Sequence, residues 1–347
     1  YFWIYYSPQL DTLPMAHKVS STEVDKSRQV KFYDFDLDKT AAERWGPIID
    51  AHLEYLPTAI KEIKKLIDSF GIATTVIKSF YEWFDKGDIY YYDEIKYIAE
   101  RLGFDPFHVL LMQLIYETST ACTATVLTYG KNQTLFFRTM DWPMMFLKDL
   151  TIGLNVKRSN KIIARVVSWV GYVGFLTANN STENYTITIN YRQTTNPTIL
   201  SMLFNLNRIR QLIWPIGYLV RELMEKRVKE DNAISLLQCR EIVSPCYITV
   251  YSQTATSYII TRDCDKTVDI RSENLIQTNC DWNKSEPNIL HSLERRAKVQ
   301  KIQEKITKKN ITNELEIVGM LMQTPIINEE TIYLLTMYGN TVSAYVV

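Results

Sequence analysis

The segment Glu117-Thr-Ser-Thr-Ala-Cys-Thr-Ala-Thr-Val126 places one cysteine where a helical pattern gives way to a strand-like one. A lone cysteine in an apolar stretch is ordinarily a small buried hydrophobe. A cut just before Cys122 would change its chemistry. The new α-amine, with a pKa of about 7.7–8.0, would act as the thiol's own general base, with no histidine needed. The scatter of His17, His52, His108 and His291 is then no obstacle. Arg138 and Asp141 follow, close together at one strand end. On residues alone they read either as a surface ion pair worth under about 1 kcal/mol or as charges that serve the cysteine.

Two kinds of element must position these groups. Before the cysteine, Trp45, Ile48, Ile49, His52, Leu53 and Leu56 recur at helical spacing, as do Ile60, Ile63, Ile67 and Phe70 after Pro57. Ile77, Phe80, Tyr81 and Phe84 give another apolar face. Residues 93–102 read as a helix stopped by Gly103, and Asp105-Pro106 opens a run, 107–116, apolar nearly all round and so expected to be buried. From residue 122 the period changes to two. Residues 123–128 and 134–140 read as strands joined by a hairpin turn, Tyr129-Gly130-Lys131-Asn132. Strand patterns continue at 150–156, 161–169, 185–191, 246–251, 258–262, 331–337 and 343–347. Helical stretches fall near 198–228, 230–240, 294–308 and 312–323. The fold class is α+β: an all-helical leader, 1–121, feeding an antiparallel body, 122–347.

Composition narrows the function classes. The chain has 347 residues, 46% hydrophobic and 22% charged, with a net charge of zero, so nothing favours nucleic acid as a partner. No cysteine or histidine spacing resembles a metal site, and no cofactor is implied. The five cysteines are an odd number, and Cys239 and Cys246 could close a short loop. Tyr1 in place of an initiator methionine reads as a processed chain, and no run reaches the roughly 18 apolar residues of a membrane span. N-glycosylation triplets begin at Asn132, Asn179, Asn180, Asn184, Asn283 and Asn310, against roughly two or three by chance, which points to the secretory pathway.

Cys122-Thr-Ala-Thr-Val, Arg138-Thr-Met-Asp141 and Val170-Gly-Tyr-Val-Gly-Phe-Leu-Thr177, in that order, resemble the acid ceramidase and N-acylethanolamine acid amidase family. Ile260-Thr-Arg-Asp263, Gln277-Thr-Asn279, Trp282, Glu294-Arg-Arg296, Pro325, Asn328, Thr331 and Tyr333 continue the resemblance. Phe35 to Leu37 and Arg44-Trp45 extend it into the leader. It implies an N-terminal nucleophile hydrolase with an αββα sandwich of antiparallel sheets, preceded by a helical small-subunit segment. The chain would be self-cleaved at Ala121–Cys122 into an α/β heterodimer in acidic lysosomes or on secretion. Cys122 would attack an amide carbonyl and form a thioester. Arg138 would hold the nucleophile's surroundings, Asp141 would bind the new ammonium or thiol, Asn279 would donate to the oxyanion, and Arg296 would buttress the site.

The resemblance also implies an N-acyl lipid substrate, an N-acylethanolamine or a ceramide. Trp142, Trp169, Tyr172, Tyr191 and Trp214 are the candidates for lining an acyl slot, with core packing as the alternative for each. The leader around Ile72 to Phe84, with an exposed aromatic cluster at Tyr90 to Tyr92, is a candidate for peripheral membrane contact. Three departures bear on substrate: Thr139 where the family has asparagine, Tyr191 where it has glutamate, and Cys280 where tyrosine is common. With no cysteine before Cys122 and no cysteine-containing tail, the chain leans to the ethanolamide-cleaving side. A smaller-amide acylase and a non-catalytic lipid-binding relative are the competing readings.

Overall fold

The structure, a computed structural model, describes residues 26–69, 75, 78–79, 81–82, 85–115, 120–194, 207–209, 211, 213–286, 288–289, 291–338 and 341–347. The leader opens with a strand, β1 (Phe32–Asp36), followed by α1 (Ala41–Asp50), α2 (Leu56–Ser69), α3 (Tyr92–Leu102) and α4 (Pro106–Ile115). Local chemistry sets these boundaries. Thr40 and Glu43 form a reciprocal capping box at α1. Gly103, in the left-handed region at φ 68°, ends α3 where the sequence places its stop. Asp105 accepts from the Phe107 N–H at the head of α4, whose Phe107, Val109, Leu110 and Leu111 are buried as their pattern requires.

The body begins with the hairpin β2 (Ala121–Tyr129) and β3 (Gln133–Asp141). Then come β4 (Thr151–Arg158), β5 (Lys161–Trp169), β6 (Thr177–Asn180), β7 (Tyr185–Tyr191), α5 (Ile216–Glu225), α6 (Glu230–Cys239), β8 (Cys246–Ser252), β9 (Tyr258–Arg262), β10 (Thr267–Arg271) and β11 (Ile276–Gln277). The chain closes with α7 (Ser292–Lys309), α8 (Glu314–Leu321), β12 (Thr331–Tyr338) and β13 (Thr341–Val346). Two sheets result, one ordered β1-β4-β5-β6-β7-β8-β9-β10 and the other β11-β2-β3-β12-β13. Helix α5 packs on β5, β6 and β7, helix α7 packs on β2 and β11, and β2 meets β7 and β8 between the sheets. The order of layers is helix, sheet, sheet, helix.

The two-residue period of β2 and β3 decides which side chains meet which layer. Leu127, Tyr129, Leu135 and Phe137 pack with Val299, Ile302, Ile306, Ile317 and Leu321 under the α7–α8 pair. Cys122, Ala124, Val126, Phe136 and Met140 join the other core, between the sheets. The nucleophile candidate thus lies on the inner face of its sheet.

The leader departs from its all-helical reading. Strand β1 runs parallel to β4, pairing Phe32 with Gly153 and Asp36 with Lys157, and closes one edge of the larger sheet. Its sequence, Phe-Tyr-Asp-Phe-Asp, lacks clean alternation, so the strand is defined by its distant partner rather than by its own pattern. Strands β6, β10 and β11 were likewise not separated from loops, being short. Residues 198–206, Phe80 and Phe84 lie outside the described residues.

Candidate active site

Cys122 follows Ala121 at the start of β2, opposite Met140 in register, with Ala121 opposite Asp141 and Ala124 opposite Arg138. Its side chain is fully buried. The Arg138 Nη2 lies 3.5 Å from the Cys122 Sγ, and the Sγ lies 3.6 Å from the Met140 Sδ. The other guanidinium nitrogen of Arg138 is held by the sheet opposite. It donates to the Ile189 carbonyl at 2.8 Å, to Asn190 Oδ1 at 3.2 Å and to the Thr188 hydroxyl. Arg138 therefore spans the two sheets at the level of the sulfur.

The backbone of Cys122 is held from the side of β11 and α7. Its N–H donates to Asn279 Oδ1 at 2.7 Å, and its carbonyl accepts from Arg295 Nη1 at 2.6 Å and Asn190 Nδ2 at 3.4 Å. Arg295 also donates to Thr123 Oγ1 at 2.9 Å and Asn279 Oδ1 at 3.1 Å, and lies 3.5 Å from Asp141 Oδ2. The orientation of the Asn279 amide follows from its partners. Its oxygen faces two donors, Cys122 N and Arg295, whereas its nitrogen faces two carbonyls, Thr120 at 3.3 Å and Tyr191 at 2.8 Å. Its N–H groups thus sit on Thr120 and Tyr191 in the intact chain, and its oxygen holds the nitrogen that a cut would free. Behind it, Ser292 Oγ accepts from the Asn279 N–H at 2.8 Å and donates to Thr278 Oγ1 at 2.7 Å.

Asp141 is fully buried on the opposite face of β3, accepting from Thr331 Oγ1 at 2.8 Å. Burial pushes its carboxyl above the usual 3.8, against the pull of Arg295, Thr331, Asn328 and Arg138. Burial also lowers Arg295. Perturbed carboxyls of this kind occur at functional sites and in structural ion-pair networks alike, so the geometry around Cys122 carries the assignment.

The sequence reading fares unevenly residue by residue. Cys122, Arg138, Asp141 and Asn279 are brought together. Arg296 is not, and this is a correction: it points away, donating to the carbonyls of Asp281, Trp282 and Lys284 and lying over the Trp282 ring. Its neighbour Arg295 reaches the site instead. The signal was present, because Ser292, Arg295, Val299, Ile302 and Ile306 form the buried stripe of α7 and Arg296 falls off it. Thr331 and Asn190 carry no assigned role in the sequence reading, where they stand only among the residues compared with the family, and Ser292 is not singled out there.

The aromatic candidates are packed rather than open. Trp142, Trp169 and Tyr172 cluster with Tyr333, whose hydroxyl lies 3.1 Å from Thr177 Oγ1. The Tyr172 hydroxyl abuts Gly217, where a Cβ would stand 3.0 Å away. Trp214 belongs to a separate stack with Tyr90 and Tyr218. Tyr191 is half-buried and meets the site through its carbonyl. Of the Tyr90 to Tyr92 cluster only Tyr90 is exposed. Tyr91 lies under Arg221, and Tyr92 meets the Tyr81 hydroxyl. A cleft of ≈ 440 Å³ bounded by Arg44, Lys86, Ile89, Tyr91 and Glu94 lies in the leader, apart from Cys122.

Among the glycosylation candidates, Asn132, Asn283 and Asn310 are exposed and Asn184 is half-buried. Asn180 is a correction: fully buried, its Oδ1 accepts from the N–H groups of Thr182 and Glu183, which leaves no path for a glycan in the folded chain. The five cysteines are unbridged, so no disulfide closes the Cys239–Cys246 loop. Among the described residues no helix is long and apolar enough to cross a membrane.

No protein-family model matches the chain. It is 42% identical over 309 residues to an uncharacterised protein of Acanthamoeba polyphaga mimivirus, covering 88% of this chain and 95% of that one. It is 25% identical to the acid ceramidase of Rattus norvegicus over 331 residues, 88% of this chain and 82% of the other. To an N-acylethanolamine-hydrolysing acid amidase of Caenorhabditis elegans it is 24% identical over 330 residues, 88% of each. The solved structure of a nematode ortholog of that amidase superposes with a TM-score of 0.55 at 21% identity, over 65% of this chain and 100% of the other, which shows the shared N-terminal nucleophile fold. With that fold and these relatives, the chain belongs to the acid ceramidase and N-acylethanolamine-hydrolysing acid amidase family of amide hydrolases.

Proposed function

We propose that this protein is a self-cleaving lipid amide hydrolase whose nucleophile is Cys122, cut at Ala121–Cys122 into a small subunit (the leader, to 121) and a large one (122–347). One observation carries the reading. The Cys122 thiol faces the Arg138 guanidinium while its amide N–H is held by Asn279 at the junction of leader and sheet.

In the first reaction the sulfur attacks the Ala121 carbonyl carbon, the Ala121–Cys122 C–N bond breaks, and the departing nitrogen takes up a proton as the new α-amine. Water then cleaves the thioester, releasing the leader's carboxylate and restoring the thiol. In the second reaction the α-amine receives the thiol proton and passes it to the leaving amine of the substrate, and the acyl group leaves as a free fatty acid after hydrolysis of its thioester. Asp141, beside the start of β2, would bind the ammonium that forms. Burial of Cys122 in the intact chain fits a precursor whose own peptide, Thr120–Ala121, fills the position of the acyl group.

The names of the relatives point to N-acylethanolamines or ceramides as substrates and to an acidic pH for the reaction, and the exposed N-glycosylation triplets at Asn132, Asn283 and Asn310 support a lysosomal or secreted setting. The test is the intact mass after incubation in acidic buffer, beside Cys122→Ala, followed by assay of the cut protein on a fatty-acyl ethanolamide and a ceramide. Two fragments meeting at Ala121–Cys122, only with the native cysteine, are expected. A single uncut mass with lipid bound and never turned over would replace this reading with that of a lipid-binding relative.

A further inference from the structure

We propose that Arg192 is a positioning residue that sets Asn279 against Cys122 through a clamp on Asp281. The inference rests on the reading of Cys122 as the nucleophile.

Arg192 directly follows the last residue of β7 and is 5% exposed. It grips Asp281 through two parallel bonds, Nε to Oδ1 at 2.7 Å and Nη2 to Oδ2 at 2.9 Å. Its third nitrogen reaches Asp263 Oδ1 at 2.6 Å, just beyond β9. Tyr247 on β8 donates its hydroxyl to Asp281 Oδ1 at 2.7 Å, and Arg192 lies against the Tyr247 ring. Two strands of the large sheet, β7 and β8, thus converge on one carboxylate of a loop that belongs to the other sheet, while Asp263 after β9 anchors the Arg192 guanidinium from behind.

Chain positions turn this convergence into a constraint on the site. Asn279 stands two residues before Asp281, and Tyr191 one residue before Arg192. The Tyr191 carbonyl accepts from Asn279 Nδ2 at 2.8 Å. Two adjacent rungs, Tyr191 to Asn279 and Arg192 to Asp281, therefore join the end of β7 to the loop after β11. The first rung rotates the Asn279 amide so that its oxygen faces the Cys122 nitrogen. The second prevents the loop from drifting away from the sheet.

A paired guanidinium fork fixes both distance and orientation, which a lysine cannot reproduce. Burial opposes charge on Asp281, but its hydrogen bonds from Arg192, Tyr247 and Lys284 override that and hold its carboxyl well below the usual range. The clamp's bonds described above end on Asp281 and Asp263, and its link to the reaction runs through Asn279.

Two measurements test the clamp. In a Cys122→Ala background, where the chain stays whole, hydrogen exchange of the 122 amide reads the Asn279 hold without any catalysis. Arg192→Lys is expected to speed that exchange by about tenfold as the bond weakens. In the native-cysteine protein, Arg192→Lys is expected to lower both the cleavage rate and kcat by about tenfold with KM within about twofold. Tyr247→Phe, which removes one bond to Asp281 and leaves the fork, is expected to shift both readouts the same way by less. It carries the test if Arg192→Lys does not fold. Unchanged exchange at 122 in these variants would overturn the clamp. Faster exchange in variants of a protein that neither cleaves nor hydrolyses would support the clamp and reject the nucleophile reading.

Discussion

Glu94 in the leader and Asp141 on β3 are both sunk out of water against two arginines, yet their environments move them in opposite directions. Glu94 accepts from Arg44 and Arg221 at 2.6 Å each on one oxygen. On the other it accepts from the Trp45 indole at 2.7 Å and Arg221 Nη1 at 2.9 Å. Burial resists its charge, but that density of donors overrides it and the carboxyl is lowered from 4.5. Asp141 has one short bond, from Thr331, and holds Arg295 at 3.5 Å. Burial wins there, and the carboxyl is raised from 3.8. The first cluster ties the leader to α5 and has every lone pair occupied. The second has fewer donors and lies on the face of β3 away from the Cys122 side chain. The difference teaches how donor density separates a buried carboxylate that works as a fastener from one that burial pushes toward its neutral form.

The comparison can be broken in four places. Glu94→Gln would leave the buried Arg221 guanidinium and the half-buried Arg44 short of a charged partner, and a loss of about 3 kcal/mol in urea unfolding is expected. That loss should be full above pH 4.5 and fade as pH falls below it, because a lowered carboxyl contributes only while ionised. A loss independent of pH would mean that Glu94 is not charged in the folded chain. Arg295→Ala comes next, removing one of two donors to the Cys122 carbonyl together with the bonds to Thr123 and Asn279 that position the nucleophile. The rate of chain cleavage, followed by mass, should fall by about 10².

Asp141→Asn is expected to abolish hydrolysis while leaving thermal stability at neutral pH unchanged or higher. A raised carboxyl weakens the folded state as pH climbs above 3.8, so any advantage of the variant should vanish below that pH. A neutral-pH melting point far below the native one would show Asp141 to be a fastener like Glu94. Arg296→Ala should matter least, under about 1 kcal/mol of stability, for its stacking on Trp282 is partly exposed. A cleavage defect as large as that of Arg295→Ala would reverse the assignment of the two neighbours.

Much of this was legible in the sequence, and the failures have causes. The bounds 161–169, 185–191 and 258–262 match β5, β7 and β9, because each is a strand-length run rich in β-branched and aromatic residues. The β2–β3 hairpin followed from its strands and from Gly130 and Asn132, both left-handed at φ 53° and 63°. Strand β1 was missed because its pairing, not its composition, makes it a strand. Arg295 was passed over for Arg296 because the choice between adjacent arginines needs the helix phase, which Val299, Ile302 and Ile306 supply only once read together. Asn180 kept the look of a glycan acceptor because a triplet carries no information about burial.

The sheet order has a consequence for timing during synthesis. Cys122 meets Asn279 across 157 positions and Arg295 across 173, and Asp141 meets Thr331 across 190. Strand β1 likewise waits for β4 before its edge of the sheet exists. A chain emerging from the ribosome therefore carries its thiol long before it carries the groups that orient it. Under the proposed function, reactivity would be deferred until the final strands have docked, and a truncated or misfolded copy would hold an ordinary cysteine.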